Sequence, residues 1–550
     1  MLKIAMAQLN PVVGDITGNL KMMDDLWSNC CAKETDLLIF PELFLVGYPP
    51  RDLLERPAFI DRVKMAIQDI LRLSLEYKET GILFGAPLPT GKKTGHGLYN
   101  SAILIYDGKI LLTQHKSLLP TYDVFDEARY FDPADEVEIV TFKGLRMGIS
   151  ICEDAWNEPD LWKGAVIYDF DPITELAKKG IDLLINISAS PYFLHKEDVR
   201  CRLMSKHAKD LGVPLIYVNQ VGANDELIFD GQSMFVDKNG EIAALFPAFE
   251  EQVETIDTEM TGKADLDPPR EAMHYLYQSL VLGISDYFRK SGFSKAVIGL
   301  SGGIDSALTA CLAVAALGKE NVLGVSMPSV YSSAGSVDDS QELAKNLHIE
   351  FKIIPIADIF SVYLDTLQEH FAGKESDVAE ENIQARIRGN LVMALANKFG
   401  AMVLSTGNKS EIAMGYCTMY GDMCGGLSVL ADVPKTVVYE LSNYINKNQE
   451  IIPWATIEKP PSAELKPGQV DQDTLPPYPV LDAILNYYIE ENLSSDDIIA
   501  KGFEPETVRW VIKTVNRNEY KRKQAAPGLK VSSRAFGAGR RMPIAARYDV

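Results

Sequence analysis

The sequence predicts an α/β protein with two domains, a layered mixed α/β domain followed by a doubly wound parallel sheet. The 550 residues exceed what one ordinary domain holds. Short β-rich runs alternate with helical stretches through the first half, and strand-then-helix repetition resumes after a Pro- and Asp-rich break at 259–269. We therefore place one domain at 1–260, a linker at the break and a second domain at 261–550.

The first domain is expected to be built from β-rich runs separated by longer polar segments. An opening strand is expected within residues 1–9, where a charge and then Gln and Asn interrupt any signal-peptide core. Six further runs have the length and composition of strands. They lie at 37–40, 81–85, 101–106, 147–151, 182–186 and 214–218.

The second domain is expected to open with a helix over 272–290. The segment 459–479, rich in Pro, Asp and Gln, predicts a loop or mobile lid over a site, and a basic tail runs from Tyr520 to Arg541. Ligands of a doubly wound sheet bind at the carboxyl ends of its strands. The parallel-type strands are expected at 296–298, 322–325, 351–354 and 402–405.

Composition narrows the function classes. Lys plus Arg number 54 and Asp plus Glu 76, so the net charge is −22, which disfavours a nucleic-acid partner. No run of 18 apolar residues is present, so no membrane helix is expected. The seven cysteines are odd in number and scattered, which fits reduced thiols and a cytoplasmic location.

A glycine-rich turn separates the strand at 296–298 from a helical stretch at 307–314. Such a turn aims backbone N–H groups and a helix dipole at one point, which favours phosphate. It is not a Walker A loop, because Asp305 and Ser306 stand where lysine would be; Asp305 suits Mg²⁺ and Ser306 can donate to phosphate. A Gly-rich turn with a chance Asp is the alternative. The turn comprises Gly299, Leu300, Ser301, Gly302, Gly303, Ile304, Asp305 and Ser306.

Three reactive groups stand at the ends of β-rich runs in the first half: Glu42, Lys116 and Cys152. Taken singly, they read as a surface turn, a solvated lysine and a core cysteine. Taken together, a carboxylate, an ammonium and a thiol supply a general base, an oxyanion donor and a nucleophile. Their order and flanking residues resemble the Glu-Lys-Cys triad of the nitrilase superfamily over most of residues 1–255.

The resemblance implies a nitrilase-like α-β-β-α sandwich and amide hydrolysis through a thioester. It implies that Tyr122, Ser190 and Lys196 hold the amino-acid end of glutamine, although some relatives carry Arg at the last position. Glu127 either orients Lys116 or is a solvated loop charge. The aromatic segment 156–172 either walls the glutamine pocket or packs at a subunit contact.

Four segments of the second half, at 327–333, 381–389, 405–411 and 420–422, resemble NAD synthetases across residues 268–550. The whole chain is thus similar to the glutamine-dependent enzymes of that family. The resemblance implies an adenine nucleotide α-hydrolase-like sheet, ATP as co-substrate, Mg²⁺ and deamido-NAD. It implies Thr406 and Lys435 for ATP, Asn382, Arg386, Glu411 and Lys521 for deamido-NAD, and Asp305 with Glu411 for the metal. Thr406 and Asn408 as helix caps, and Glu411 as a helix-dipole partner, are the alternatives.

The implied reaction joins the two halves. ATP adenylates the nicotinate carboxylate, and ammonia from glutamine displaces AMP. Because free ammonia is mostly protonated at neutral pH, an enclosed passage is expected. The partners are small molecules and, in a homo-oligomer, further copies of the chain. A synthetase for another acid and a nucleotide sensor with vestigial catalytic groups remain the rivals.

Overall fold

The structure is a computed structural model that describes residues 2–158, 168–264 and 271–547. The chain divides into two compact units, Met1–Arg270 and Glu271–Val550. Within the described ranges, no helix is both long and apolar enough to cross a membrane.

The first unit is an α-β-β-α sandwich, as the nitrilase resemblance implies. Two six-stranded sheets have the orders β14-β1-β2-β3-β4-β5 and β13-β12-β9-β8-β7-β6. Apolar residues of both sheets, such as Ile4, Leu83 and Ile149, form one core. Helices α1 and α2 cover the first sheet through Trp27 and Val63, and α3 and α4 cover the second. The strands are β1 (Lys3–Gln8), β2 (Leu37–Ile39), β3 (Gly81–Pro89), β4 (Leu98–Tyr106), β5 (Lys109–His115), β6 (Ile139–Phe142), β7 (Leu145–Ile151), β8 (Leu183–Ser188), β9 (Leu215–Asn219), β10 (Val221–Asn224), β11 (Leu227–Asp230), β12 (Met234–Val236), β13 (Ile242–Leu245) and β14 (Gln252–Asp257).

The six predicted runs overlap β2, β3, β4, β7, β8 and β9. Strands β1, β2 and β3 are mutually parallel, and so are β7, β8 and β9, while the outer strands pair antiparallel. The parallel strands are continuous buried runs because both faces of each sheet are covered. The helices are α1 (Ile16–Ala32), α2 (Pro57–Leu73), α3 (Pro172–Lys178) and α4 (Lys196–Leu211), with 3-10 helices at Arg51–Glu55, Glu127–Arg129 and Cys152–Ala155.

The second unit is a doubly wound sheet of five parallel strands in the order β17-β16-β15-β18-β19. The chain order reverses between β15 and β18, and the crevice at such a switch point is where these sheets bind ligands. The turns after β15 and β18 therefore meet there. The strands are β15 (Ala296–Gly299), β16 (Val322–Ser326), β17 (Glu350–Ile353), β18 (Met402–Ser405) and β19 (Leu427–Ser428).

The helices of the second unit include the two predicted from sequence, at the start of the unit and after the glycine-rich turn. They are α5 (Ala272–Ser291), α6 (Ile304–Leu317), α7 (Ala334–Leu347), α8 (Ala357–Leu367), α9 (Val378–Phe399), α10 (Lys409–Met414), α11 (Lys435–Ile445), α12 (Trp454–Glu458), α13 (Tyr478–Leu485), α14 (Ser495–Ala500), α15 (Pro505–Arg517) and α16 (Glu519–Arg522). A π-helical turn, Asn486–Glu490, follows α13, and 3-10 turns occur at Lys319–Asn321 and Asp471–Asp473.

The predicted basic tail is folded into this unit. Arg522 and Arg540 are both buried, and both pair with the buried carboxylate of Glu519, at 2.9 and 2.7 Å. Two of the arginines of the tail therefore share one buried carboxylate of the same unit.

Candidate active sites

The first site is built around the turn that follows β7. Cys152 has a φ of 44°, so the chain leaves the strand abruptly and enters a short 3-10 helix. The buried carboxylate of Asp154 accepts hydrogen bonds from the backbone N–H groups of Ile151, Ser117 and Leu118, at 2.9 to 3.0 Å. These bonds tie the Cys152 turn to the segment after β5, which carries Lys116.

A buried charge cluster lies at the ends of β2 and β5. Lys116 Nζ donates to Glu42 Oε1 at 2.7 Å and to the two carboxylate oxygens of Glu127 at 2.8 and 2.9 Å. Glu42 also accepts from Asn100 Nδ2 at 2.7 Å and from the backbone N–H of Ala189 at 3.0 Å. Glu127 is buried, so the structure favours its orienting role over that of a solvated charge.

The electrostatics of the cluster keep Cys152 as a thiol in the resting site. Burial raises the pKa of Cys152, and the negative charge of Glu42 raises it further, while Lys116 lowers it. Burial lowers the pKa of Lys116, but Glu127 and Glu42 together raise it well above its ordinary value. The ammonium is therefore permanently charged, and the thiol needs a base to become a nucleophile.

Tyr122, predicted to bind glutamine, contacts Glu153, which is not among the residues predicted from the sequence. Its phenol O–H lies 3.0 Å from both carboxylate oxygens of Glu153, the residue directly after Cys152. The O–H of Tyr168 donates to the same carboxylate at 3.0 Å. In the sequence, the only indication that Glu153 belongs to this site is its position next to Cys152.

Ser190 lies just after β8, and Lys196 is the first residue of α4. Lys196 Nζ donates to the carbonyl of Pro191 at 2.8 Å and lies 5.3 Å from the ring centroid of Trp156. Ser190 donates its backbone N–H to Asn219 Oδ1 at 2.9 Å. Of the aromatic segment, 159–167 lies outside the described residues, while its described ends hold Trp156 beside Lys196 and Tyr168 beside Glu153.

The second site begins with the glycine-rich turn between β15 and α6. Gly302 has a φ of 78°, and a Cβ atom there would lie 2.3 Å from the carbonyl oxygen of Ser336 in α7. Only glycine fits this close approach of backbone to backbone. Ser306 Oγ donates to the carbonyl of Gly303 at 2.9 Å, which fixes the start of the helix.

Three charged side chains converge on this turn. Lys435 is buried and pairs with Asp305, and its Nζ lies 3.6 Å from Glu411 Oε1. Asn408 Nδ2 donates to Asp305 Oδ1 at 2.9 Å, while Asn408 Oδ1 accepts from the backbone N–H of Glu411. Burial, and then Asp305, raise the pKa of Glu411 to about 8, against the opposing effect of Lys435. Asn408 thus caps α10 and positions Asp305 at once.

A cavity of about 310 Å³ opens above these groups. The loop 459–477 covers part of it through residues such as Lys459, Glu464 and Asp471, in agreement with the predicted loop over a site. Most of the predicted ATP and metal residues line it, namely Gly299, Leu300, Ser301, Gly303, Ile304, Asp305, Ser306, Thr406, Glu411 and Lys435.

Asn382, Arg386 and Lys521 lie beside this cavity, all in contact with residues 415–419. Asn382 Oδ1 accepts from Thr418 Oγ1 at 2.7 Å, and Arg386 Nε donates to the carbonyl of Met419 at 3.3 Å. Lys521 Nζ donates to the carbonyls of Gly415 and Cys417, at 2.7 and 2.9 Å. These three residues therefore share one segment at the rim of the cavity.

Comparison with known proteins covers both units. The carbon-nitrogen hydrolase family model matches residues 3–265, and the NAD synthase model matches residues 276–525. A glutamine-dependent NAD(+) synthetase of Synechocystis is 50% identical and covers 100% of this chain and 99% of its own length. The chain belongs to the glutamine-dependent NAD(+) synthetase family. The relative from Thermotoga maritima is 45% identical with 100% and 99% coverage.

Solved structures of the family agree with the fold. The glutamine-dependent NAD+ synthetase of Acinetobacter baumannii, determined with ADP, is 41% identical, covers 99% of this chain and 98% of its own, and has a TM-score of 0.77. The glutamine-dependent NAD(+) synthetase of Cytophaga hutchinsonii is 21% identical, covers 99% of this chain and 98% of its own, and has a TM-score of 0.83. At this identity the likeness shows the fold alone.

Within this family framework, the structure adds Arg388 to the second site. Arg388 lines the cavity and its Nε donates to the carbonyl of Met327 at 3.0 Å, whereas Arg386, two positions earlier on α9, is exposed. Burial lowers the pKa of Arg388. The sequence contains an indication of this, because residues four apart share a helix face and Gln384, four residues before Arg388, is buried.

Proposed function

We propose that this chain is a ligase that converts deamido-NAD to NAD, with ammonia from glutamine and with cleavage of ATP to AMP and pyrophosphate. The observation that carries the proposal is the buried Glu42–Lys116 pair beside Cys152, in a chain whose second unit places Asp305 at a phosphate-type turn. An amide hydrolase has no need of a nucleotide site, and a nucleotide-binding protein has no need of an amide hydrolase site. The presence of both in one chain therefore supports a reaction that couples them.

The first unit would release ammonia. Glu42 takes the proton of Cys152, whose sulfur attacks the side-chain amide carbon of glutamine. Lys116 and a backbone N–H stabilise the oxyanion in a buried site, where such donors act strongly. Glu42 then protonates the departing ammonia and guides water onto the thioester. Glu127, bonded to Lys116 through both oxygens, keeps that ammonium aimed at the reacting atoms.

The second unit would activate the acid and amidate it. The nicotinate carboxylate attacks the α-phosphate of ATP, while the backbone of the 299–306 turn and the charge of Lys435 stabilise the departing pyrophosphate. Thr406 is proposed to contact ATP, and Asn382, Arg386 and Lys521 deamido-NAD. Ammonia attacks the acyl adenylate and AMP leaves.

The carboxylates at this turn fit a magnesium ion, which prefers oxygen ligands. Asp305 and Glu411 would hold it, and it would neutralise charge on the phosphates. The raised pKa of Glu411 agrees with a carboxylate cluster that has too little positive charge in the protein alone.

The two half-reactions can be separated with one pair of variants. Cys152→Ala is expected to abolish NAD formation from glutamine but to leave formation from ammonium salts, because only the nucleophile is lost. Asp305→Ala is expected to abolish both. NAD and AMP are measured by chromatography; glutamine use by Cys152→Ala would contradict the triad assignment.

The rival synthetase acting on another acid is tested by AMP release. The unmodified chain is supplied with ATP, magnesium, ammonium and either deamido-NAD or other carboxylic acids. A preference for deamido-NAD of at least about tenfold supports the proposal. AMP release with a different acid favours the rival, and ATP binding without AMP favours a sensor.

We also propose that the protein is cytoplasmic and forms a homo-oligomer. Each copy would consist of a first domain at 1–260 and a second domain at 261–550. The seven cysteines are all free thiols, as expected of a reducing compartment. Light scattering on the purified chain measures the oligomeric state directly.

A further inference from the structure

Arg388 is a cation of the second site that the proposed chemistry leaves without a role. Three Lys and Arg side chains of the described residues line the cavity, namely Arg388, Lys435 and Lys459. Lys435 pairs with Asp305, and Lys459 Nζ lies 2.8 Å from Asp339 Oδ2. The half-buried guanidinium of Arg388 differs from both, because no carboxylate oxygen in the described ranges lies within ion-pair distance of it.

The side chain of Arg388 is held by one of its nitrogens. Its Nε donates to the carbonyl of Met327, directly after β16, at 3.0 Å. In the part of the chain that the structure describes, the two terminal nitrogens make no hydrogen bond to the protein, although the side chain lines the cavity. Such a fork of N–H groups matches the oxygens of a phosphate.

Arg388 lies between the two places where the substrates are proposed to bind. Its partner Met327 is close to the glycine-rich turn, since a Cβ atom at Gly299 would lie 3.5 Å from Met327 Cε. The glycine that follows Arg388 in α9 approaches the segment after 415–419, because a Cβ atom there would lie 2.8 Å from the carbonyl oxygen of Gly421. The guanidinium is thus placed where ATP and deamido-NAD would meet.

We propose that Arg388 is a catalytic residue that binds the α-phosphate of ATP and stays bound to this phosphate in the acyl adenylate. The nicotinate carboxylate forms its bond to the α-phosphorus as the bond to the pyrophosphate oxygen breaks, and pyrophosphate leaves with the electron pair. The guanidinium stabilises the charge on the non-bridging oxygens during this step. The inference rests on the proposed amidation and deepens it.

An α-phosphate would also supply the negative charge that Arg388 lacks at close range. Burial lowers the pKa of Arg388, and the charges of Glu464 and Asp422, which lie beyond ion-pair distance, offset this only in part. The guanidinium stays protonated, because arginine is not deprotonated in proteins. A partly buried cation without a close carboxylate is stabilised by an anionic ligand.

The first test measures AMP release by the full chain from ATP, magnesium, ammonium and deamido-NAD, which does not require the first site. Arg388→Gln is expected to lower kcat by about 100-fold and to change the KM for deamido-NAD by less than about threefold, because the lost contact acts in the transition state. Arg388→Lys keeps the charge without the fork and should recover part of the rate. The exposed Arg509→Gln in α15 is the matched control and should change neither constant.

A second measurement separates contact with the phosphate from a structural effect. ATP with sulfur in place of one non-bridging α-oxygen exists as two diastereomers, and a group that binds one of these oxygens distinguishes them. The ratio of kcat/KM for the two is expected to change by at least about fivefold in Arg388→Gln, as for loss of a charge-assisted hydrogen bond, and to stay the same in Arg509→Gln.

A lower kcat with an unchanged diastereomer ratio would show a merely structural role and would overturn the proposal, as would an unchanged kcat. An increase in the KM for deamido-NAD alone would assign the guanidinium to that substrate and would also overturn it. Thermal unfolding reports whether the variants are folded; if Arg388→Gln is not, both measurements are made on Arg388→Lys, with smaller changes in the same direction. Failure of the proposed function looks different, because the unmodified chain would then release no AMP.

Discussion

At the scale of single residues, Glu127 illustrates how burial turns a loop charge into part of a site. Its carboxylate shares Lys116 with Glu42 and accepts the O–H of Tyr48 at 2.9 Å. Burial raises the pKa of Glu127 to about 7, with Glu42 adding to the rise and Lys116 opposing it. The two carboxylates therefore compete for one ammonium near neutral pH.

This competition predicts the pH profile of glutamine hydrolysis. As the pH falls through about 7, Glu127 takes up a proton and Lys116 is left to Glu42, which weakens Glu42 as a base. We expect kcat/KM for glutamine to fall on the acid side with a midpoint near 7, since kcat/KM reports groups of the free enzyme. Glu127→Gln should lower the rate and remove this midpoint; an unchanged midpoint in the variant would assign it to another group.

At the scale of elements, the glycine-rich turn depends on the close contact between β15, α6 and α7. Gly302 and Gly292 have the same φ of 78°, but a Cβ at Gly302 would meet Ser336 O at 2.3 Å, whereas one at Gly292 meets nothing within 4 Å. An alanine would therefore meet the same backbone strain at both positions, but only at Gly302 would its Cβ clash with a neighbouring atom.

Gly302→Ala is expected to reduce ammonium-supported AMP release by at least about tenfold, because the turn must move to relieve the clash. Gly292→Ala should cost about 1–2 kcal/mol of stability from the left-handed backbone and leave the rate unchanged. Initial rates at saturating ATP, with thermal unfolding of both variants, check this. Equal rates in the two variants would mean that the turn does not hold the phosphates.

At the scale of the whole molecule, the buried carboxylate of Glu519 links Arg540 of the C-terminal segment to the second unit. Glu519 is shared by Arg522 and Arg540, and Arg522 also donates to the carbonyls of Ile412 and Ala413 at the end of α10. The C-terminal segment is thereby linked to the helix that carries Glu411.

Glu519→Ala would leave two buried guanidinium groups without their carboxylate. We expect the free energy of unfolding of the second unit to fall by about 3–5 kcal/mol. Denaturant unfolding of the full chain measures it, with the exposed Glu369→Gln as the control expected to stay within about 0.5 kcal/mol. A loss no larger than in the control would show that water or other groups compensate the two arginines.

The features of the fold and of the sites that could be predicted from the sequence are those that short segments encode. Strand runs, the glycine-rich turn and the order of Glu42, Lys116 and Cys152 can be read directly, because each depends on a few consecutive residues. Helical periodicity places Arg386 and Arg388 on different faces of α9, but only the packed structure shows that the face of Arg388 borders the cavity and that Arg386 is exposed.

The fold class, the family resemblance and the two predicted chemistries follow from the sequence, since strand ends and motif spacing are properties of short segments. Which charges share a partner follows from packing. Glu42 and Lys116 come together because the carboxyl ends of β2 and β5 lie at one edge of the same sheet, and Asp305 and Glu411 do so because β15 and β18 are neighbours. Glu127 and Lys435 reach these places from a 3-10 helix and from the start of α11. Burial raises the pKa of Glu127 and that of Glu411, and burial is a property of the packed molecule.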